Sequence, residues 1–495
     1  MTKSEIRVQY SGFIILGATM LSIITGLVFT LMLTRSTTQE QLGIWSNIND
    51  ILFYFGFLAP ALPFWTMRFA ARNEEGSIKT GLIANLTISM IATAIYLPTI
   101  PIIMSFLHIS GTYMIIYLIA STQIIENYLI TMLEAYLRAK KPQTIGYGLL
   151  IEDFSKVLIA YVLIIRLQQP LLGALLSLTI AFALHIIYYF KLVHLDLREP
   201  IRWSYIKEWL KGSTINIYSY VGNLISNLVF FMLIAYDPSV GPQARGIYLA
   251  AWTIASIIPY SSYVSLALYP KLLTEDNVQG VVTSLKNVLM FAIPMTAGAM
   301  ALSDSYLIML NEIYKPATIV LIILSIDALV QTLSQFFSPV LYGLEKIDEN
   351  AKIPLKKLVK RPLFKALSLT YLQSAVALPA TFYLLTNFAK GQAMSAAIYV
   401  GIIDTVAHLV TFIALYLILW KIVKISTPWV SITKYITASA GMALFLFLIP
   451  HPTRITSILG ITIIAGIIYF ALLSAIDKDA RILVRSIWQE IKSRF

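Results

Sequence analysis

The sequence predicts an all-α polytopic membrane protein of about fourteen transmembrane helices, built by duplication, with both termini cytoplasmic. Three observations predict it: the composition, the spacing of apolar runs, and the side on which basic residues fall. Of 495 residues, 58% are hydrophobic and 13% charged, and mean hydropathy is +0.76. Soluble domains carry about a quarter charged residues. A chain this poor in charge cannot coat a globule with water-facing groups, whereas lipid can face the excess.

A span needs about 20 mostly apolar residues. In chain order such runs fall near 13–34, 46–67, 81–106, 113–136, 144–166, 171–190 and 213–236. They continue near 246–269, 284–309, 317–343, 364–387, 394–420, 435–450 and 455–476. Lys3 and Arg7 precede the first run and no small-residue cleavage motif follows it, so it reads as a transmembrane helix rather than a removed signal peptide. Loop charge tests this count independently, because cytoplasmic loops are rich in Lys and Arg. Of the 37 Lys and Arg, six (Arg35, Arg166, Arg245, Lys315, Lys390 and Arg454) fall on one side and Lys156 lies within a span. All the others fall on the opposite side, which is therefore cytoplasmic. The net charge of +12 is thus a topology signal, with anionic membrane lipids as partners rather than nucleic acid.

The duplication is written in the opening stretch, Gly12–Arg72. Its apolar run, polar hinge, second apolar run and basic stop return about two hundred residues later, over Ser213–Lys271. A shift of 203 lays Gly43-Ile44-Trp45 on Gly246-Ile247-Tyr248, and Arg68 on Lys271. A shift of 204 lays Gln123, Asn127, Thr131 and Glu134 on Asp327, Gln331, Gln335 and Ser338. Parallel repeats of this kind build several transporter folds.

Several classes are excluded or disfavoured. There is no cysteine, hence no disulfide, thiolate metal site or cysteine nucleophile. No GxxxxGK[ST] phosphate loop occurs. No histidine–carboxylate metal motif or nucleophile constellation is legible, so neither an enzyme nor a cofactor is expected. The basic run Lys352–Arg361 reads as an inner-face loop against lipid. Arg198–Lys211, with Trp203, Ile206, Trp209 and Leu210, reads as an amphipathic linker on the inner surface. So does the tail Asp477–Phe495, with Ile482, Ile487 and Ile491.

Function is sought in polar residues that lipid rejects, since a charge at the bilayer centre costs about 2.5–3.5 kcal/mol even on gentle scales. The stripes headed by Gln123 and Asn127 in the fourth run and by Asp327, Gln331 and Gln335 in the tenth suit cavity walls, or helix–helix glue. Glu126 sits beside the first stripe. Glu152 and Lys156 are four apart, in the acid-first order that pairs on one helix face. That spacing fits either a self-neutralised pair or a cation held for an anionic headgroup. His185 lies at similar depth to Asp404 and His408, and the last two, one turn apart, can share a proton or fasten helices. Asp50, with Asn47 and Asn49, reads as a boundary residue.

The segments Leu33-Thr34-Arg35, Gln41-Leu42-Gly43-Ile44-Trp45 and Arg68-Phe69-Ala70-Ala71-Arg72 resemble those of Wzx-type polysaccharide flippases. Tyr136-Leu137-Arg138-Ala139 and Tyr342-Gly343-Leu344 extend the likeness. That family belongs to the MOP superfamily, with MATE exporters and MurJ-type lipid II flippases as relatives. The resemblance implies two pseudo-symmetric six-helix lobes around a central polar cavity, plus two extra C-terminal helices. Laid on this chain, it gives lobes 1–197 and 213–424, a linker 198–212, extra spans 425–476 and a tail 477–495. It implies a flippase in the cell (plasma or inner) membrane, moving an isoprenoid-lipid-linked oligosaccharide to the outer leaflet for surface polysaccharide or glycoprotein assembly. The candidate headgroup contacts are then Lys156, Arg35, Arg68, Lys271, Gln123, Asn127, Gln331 and Gln335. Candidate ion-coupling residues, for H+ or Na+, are Glu126, Glu152, Asp327, Asp404 and His408. Two alternatives stand beside this: a MATE-like small-molecule antiporter using those acids, and a non-transporting membrane scaffold.

Overall fold

We describe a computed structural model, which covers residues 3–265, 278–345, 362–478 and 480–481. Among these residues every regular element is helical. The amphipathic tail beyond 481, the run Lys352–Arg361 and the candidate Lys271 lie outside the described residues. The chain forms two compact units, Met1–Gly246 and Ile247–Phe495.

Unit 1 contains α1 (Lys3–Ser36), α2 (Gln39–Gly56), α3 (Pro63–Ala71), α4 (Ser77–Phe106), α5 (Met114–Lys140), α6 (Gln143–Ala160), α7 (Pro170–Val193), α8 (Trp203–Gly212) and α9 (Thr214–Ala235). The first residues of α10 (Gly241–Ala255) belong to it too. α1 packs on α6, α4 on α5, and α7 on both α5 and α6. α2 starts on a capping box: the Thr38 hydroxyl accepts from the Gln41 N–H, and the Gln41 side chain accepts from the Thr38 N–H. Asn73 and Gly76, both at positive φ, turn the chain from α3 into α4.

Unit 2 contains the rest of α10, then α11 (Val278–Ala301), α12 (Ser303–Leu310), α13 (Thr318–Glu345), α14 (Pro362–Leu367), α15 (Leu369–Phe388), α16 (Ala393–Ile422), α17 (Trp429–Leu448) and α18 (Ile455–Ile476). α13 packs on α16, α15 on α16, α11 on α17, and α17 on α18. The core joining α11, α13, α17 and α18 includes Val288, Leu341, Tyr435 and Tyr469.

Ten helices among the described residues are long and apolar enough to cross a membrane, which makes this a multi-pass membrane protein. They match ten of the predicted spans. The other four, at 46–67, 144–166, 246–269 and 364–387, fall on elements that are broken, shorter or more polar. Residues 46–67 split into α2 and α3 through a run of turns. In 144–166, Glu152, Asp153 and Lys156 load α6, which ends in a π-helical turn at Tyr161–Arg166. α10 gives way to a 3-10 stretch, Ile258–Ser265. In 364–387, α14 and α15 are separate helices, and Gln373, Pro379 and several Thr dilute α15. These are the second, fifth, eighth and eleventh predicted spans, so the interruptions follow the sequence repeat.

A broken helix at membrane depth frees carbonyls that lipid cannot satisfy, and side chains from neighbouring helices must do it. Around the α2–α3 break they do. The buried Asn85 amide donates to Ala59 O at 3.2 Å and Tyr128 O at 2.9 Å. The Tyr128 hydroxyl donates to Phe55 O at 3.0 Å, and the Ser213 hydroxyl to Ala61 O at 2.9 Å. Unit 2 shows the same economy at a proline. Pro294 lies inside α11 and has no N–H for the carbonyl of Met290. The Tyr469 hydroxyl of α18 donates to that carbonyl at 2.7 Å.

Candidate functional site

In unit 1 the charged cluster lies where α1, α6 and α7 meet. The amino group of Lys156 sits 2.6 Å from a carboxylate oxygen of Asp153, both side chains largely buried. The other Asp153 oxygen accepts from the Ser22 hydroxyl of α1. Glu152 turns to α7, where His185 Nδ1 lies 2.7 Å from its carboxylate. The acid-first spacing of Glu152 and Lys156 predicts their pairing, and the structure gives each a different partner. Helix-surface spacing rules describe exposed faces, and here α1 and α7 supply competing groups. His185 Nε2 and the Tyr189 hydroxyl are both buried without a partner. Both crowd the position a side chain at Gly148 would take, so glycine there makes the close approach possible.

In unit 2 the cluster joins α13, α15 and α16. Asp327 is fully buried. One of its oxygens is 2.7 Å from His408 Nδ1, and the other accepts from the Gln331 amide at 2.7 Å. The Gln373 amide lies 2.9 Å from His408 Nε2. Asp404, one turn before His408, accepts from the Tyr248 hydroxyl at 2.8 Å. His408 Nδ1 is hydrogen-bonded to Asp327 of α13.

The remaining predicted residues scatter. The Gln123 amide donates to Leu175 O at 3.4 Å and to the Thr179 hydroxyl at 3.2 Å, fastening α5 to α7. Asn127 is exposed, with Thr131 donating to its side-chain oxygen at 3.3 Å. Gln335 is exposed and accepts from the Ser262 hydroxyl at 3.3 Å. One carboxylate oxygen of Glu126 is buried and unpartnered. Arg35 is exposed in the last turn of α1. The Arg68 guanidinium lies over Phe64, 4.5 Å from the ring centroid, and 5.6 Å from that of Trp65. The two polar stripes therefore divide into helix-fastening members and exposed members.

One pair that sequence reasoning missed joins α2 to α10. Arg245, in the first turns of α10, donates Nε and one terminal nitrogen to the two Asp50 oxygens of α2, each at 2.9 Å. Both side chains are largely buried, and the guanidinium also lies 4.3 Å over the Phe230 ring. The one available signal was a charged residue eleven positions into α2.

The protein is a polytopic α-helical membrane protein with charge pairs buried between its apolar, partly broken helices. No family model and no curated protein sequence matches the chain. Solved structures do. A lipid II flippase MurJ in an inward closed conformation superposes with a TM-score of 0.67 at 14% identity, over 93% of this chain and 98% of that one. An inward-facing multidrug-resistance MATE transporter of the MOP superfamily gives 0.62 at 13% identity, over 80% and 94%. A MOP superfamily transporter from Pyrococcus furiosus, described as having a binding pocket of reverse polarity, gives 0.52 at 14% identity, over 84% and 95%. The chain has the fold of MOP-superfamily transporters.

Proposed function

We propose that the protein is a flippase that moves an isoprenoid-lipid-linked oligosaccharide from the cytoplasmic to the outer leaflet by alternating access. It is a transporter of the cell membrane rather than an enzyme. The observation that carries this reading is the extent of the flippase likeness, which takes in 93% of this chain. A second feature supports it. Lys156, a cation within a predicted span, pairs with Asp153, whose other oxygen accepts from Ser22, rather than with Glu152. An ammonium held by one acid is a ready partner for a phosphate. Asn127, exposed on α5, is an amide that suits sugar hydroxyls.

The test is transfer of a short lipid-linked oligosaccharide between leaflets of proteoliposomes, comparing the wild type with Lys156→Ala and Lys156→Arg. The reading expects transfer in the wild type, a loss of at least tenfold in the alanine variant and partial rescue by arginine. Transfer that ignores both changes returns Lys156 to a structural ion pair and keeps the flippase.

A MATE-like antiporter is the second reading, favoured by the Asp327–His408 pair buried in unit 2. It predicts efflux of a small cation driven by an H+ or Na+ gradient and abolished by Asp327→Asn, with no lipid transfer.

A further inference from the structure

We propose that His185 is a positioning residue for the Lys156 site: it holds Glu152 away from Lys156, and its protonation decides whether an anionic headgroup binds there. This rests on the flippase reading and adds a regulation by pH to it. Glu152 lies four residues before Lys156, the spacing at which an acid and a base on one helix pair. Its carboxylate instead meets His185 Nδ1 of α7 at 2.7 Å. Lys156 is left with Asp153, three residues before it, at 2.6 Å. One ammonium thus has two acids of α6 within a turn, and α7 withholds one of them. With a single acid the site is close to neutral and receives a phosphate or pyrophosphate group, borne on a lipid or free. With both acids it carries excess negative charge and repels one.

The imidazole is placed so that this choice depends on one proton. His185 is 1% exposed, and its ring packs against that of Tyr189 with centroids 4.3 Å apart. Its Nε2 is buried without a partner, as is the Tyr189 hydroxyl. Both stand against Gly148 of α6, where a side chain would strike them. The charge of an imidazolium here therefore rests on Glu152, and a buried cation without its counter-charge is costly. Protonated, His185 holds Glu152 by a charge-assisted bond, about twice as strong as a neutral one. Neutral, it keeps at most the weaker bond, and the Lys156 ammonium competes for the carboxylate. Other ionisable groups on the elements packed around it include Tyr188 of α7 and the Glu134–Arg138 pair of α5, bonded at 2.9 Å within electrostatic reach of Tyr189. Arg166, in the turn after α6, lies over Tyr161, and α1 offers the Ser22 hydroxyl, which donates to Asp153. The coupling is reciprocal: a proton on His185 favours the headgroup, and a headgroup at Lys156 draws a proton onto His185.

Two readouts test this on the full chain in phosphatidylcholine nanodiscs. The first needs no ligand and no variant. Dicyclohexylcarbodiimide turns an acid–amine contact into an amide, and mass spectrometry compares Glu152–Lys156 with Asp153–Lys156 amides. The ratio is expected to rise about threefold or more from about pH 6 to about pH 8 in the wild type, and to be high throughout in His185→Gln. The second is binding of geranylgeranyl pyrophosphate, read against Glu152→Gln at each pH so that the ligand's own titration cancels. The wild type is expected to match that variant at the lower pH and to bind about fivefold more weakly, or worse, at the higher. His185→Gln is expected to bind weakly at both, and the double variant to recover the Glu152→Gln level, because His185 acts through Glu152. Inorganic pyrophosphate with the same profile supports the inference with the anion alone sufficient, and a profile confined to the isoprenyl compound supports it with a lipid-borne ligand. A wild-type amide ratio that ignores pH overturns the inference, as does a binding profile that His185→Gln leaves unchanged. A responsive ratio together with binding that survives Lys156→Ala removes the headgroup reading of Lys156 and leaves the exchange of partners standing.

Discussion

Replacing Tyr469 with Phe removes one oxygen, and the structure says what that oxygen does. It donates at 2.7 Å to the Met290 carbonyl, which Pro294 has deprived of its helical N–H. Tyr469 is 1% exposed, so no water replaces the lost donor. Hydrogen bonds between membrane helices average about 0.6 kcal/mol and reach about 1.7. A buried acceptor left unmade costs about 1–3 kcal/mol. Because the carbonyl has no second donor in its own helix, the effect belongs near the upper membrane figure, about 1.5 kcal/mol. Pro294→Ala restores the N–H, and the same Tyr469→Phe change should then cost less than about 0.5 kcal/mol. The assay is a double-mutant cycle on unfolding in mixed detergent micelles, giving a coupling of about 1 kcal/mol. Equal costs in both backgrounds refute the reasoning, because they mean the hydroxyl is not repairing the proline.

Other predictions use the same unfolding assay. Asn85→Ala removes both amide bonds that satisfy Ala59 and Tyr128 carbonyls, and should cost about 1–2 kcal/mol. Gly43→Ala drives a methyl into the Pro242 carbonyl, backbone that cannot swing aside, and should cost about 1–3 kcal/mol. Gly298→Ala is the control: its new carbon would meet Met442 at 3.7 Å, an ordinary contact, so a change within about 0.5 kcal/mol is expected. Thr38→Ala removes the hydroxyl of the α2 capping box and should cost about 1 kcal/mol.

Much of the fold was legible because its determinants are local. Whether a stretch such as Pro170–Val193 or Ile455–Ile476 can span depends on its own length and apolarity, and those helices appear where the runs predict them. The broken spans were not legible as breaks. The α2–α3 interruption survives because Asn85, Tyr128 and Ser213 satisfy its carbonyls, and these residues lie far along the chain. The site divides the same way. Lys156 stood out because a charge inside an apolar run is visible in the sequence. Its partner did not, because Ser22 and His185 approach from other helices and redirect Glu152 and Asp153. His408 finds Asp327, 81 residues away, rather than Asp404 one turn before it. Arg245 and Asp50 are 195 residues apart, and no spacing rule connects them.

The measurement that tests the central claim most directly is leaflet transfer by the unmodified protein. Liposomes carrying a lipid-linked oligosaccharide on one leaflet are prepared with and without the protein, and the sugar reaching the opposite leaflet is followed with an impermeant lectin. A flippase predicts protein-dependent transfer that saturates with lipid-linked sugar and is competed by the same carrier lipid. Equal rates in empty and protein-containing liposomes, alongside cation efflux from the same vesicles under an ion gradient, contradict it.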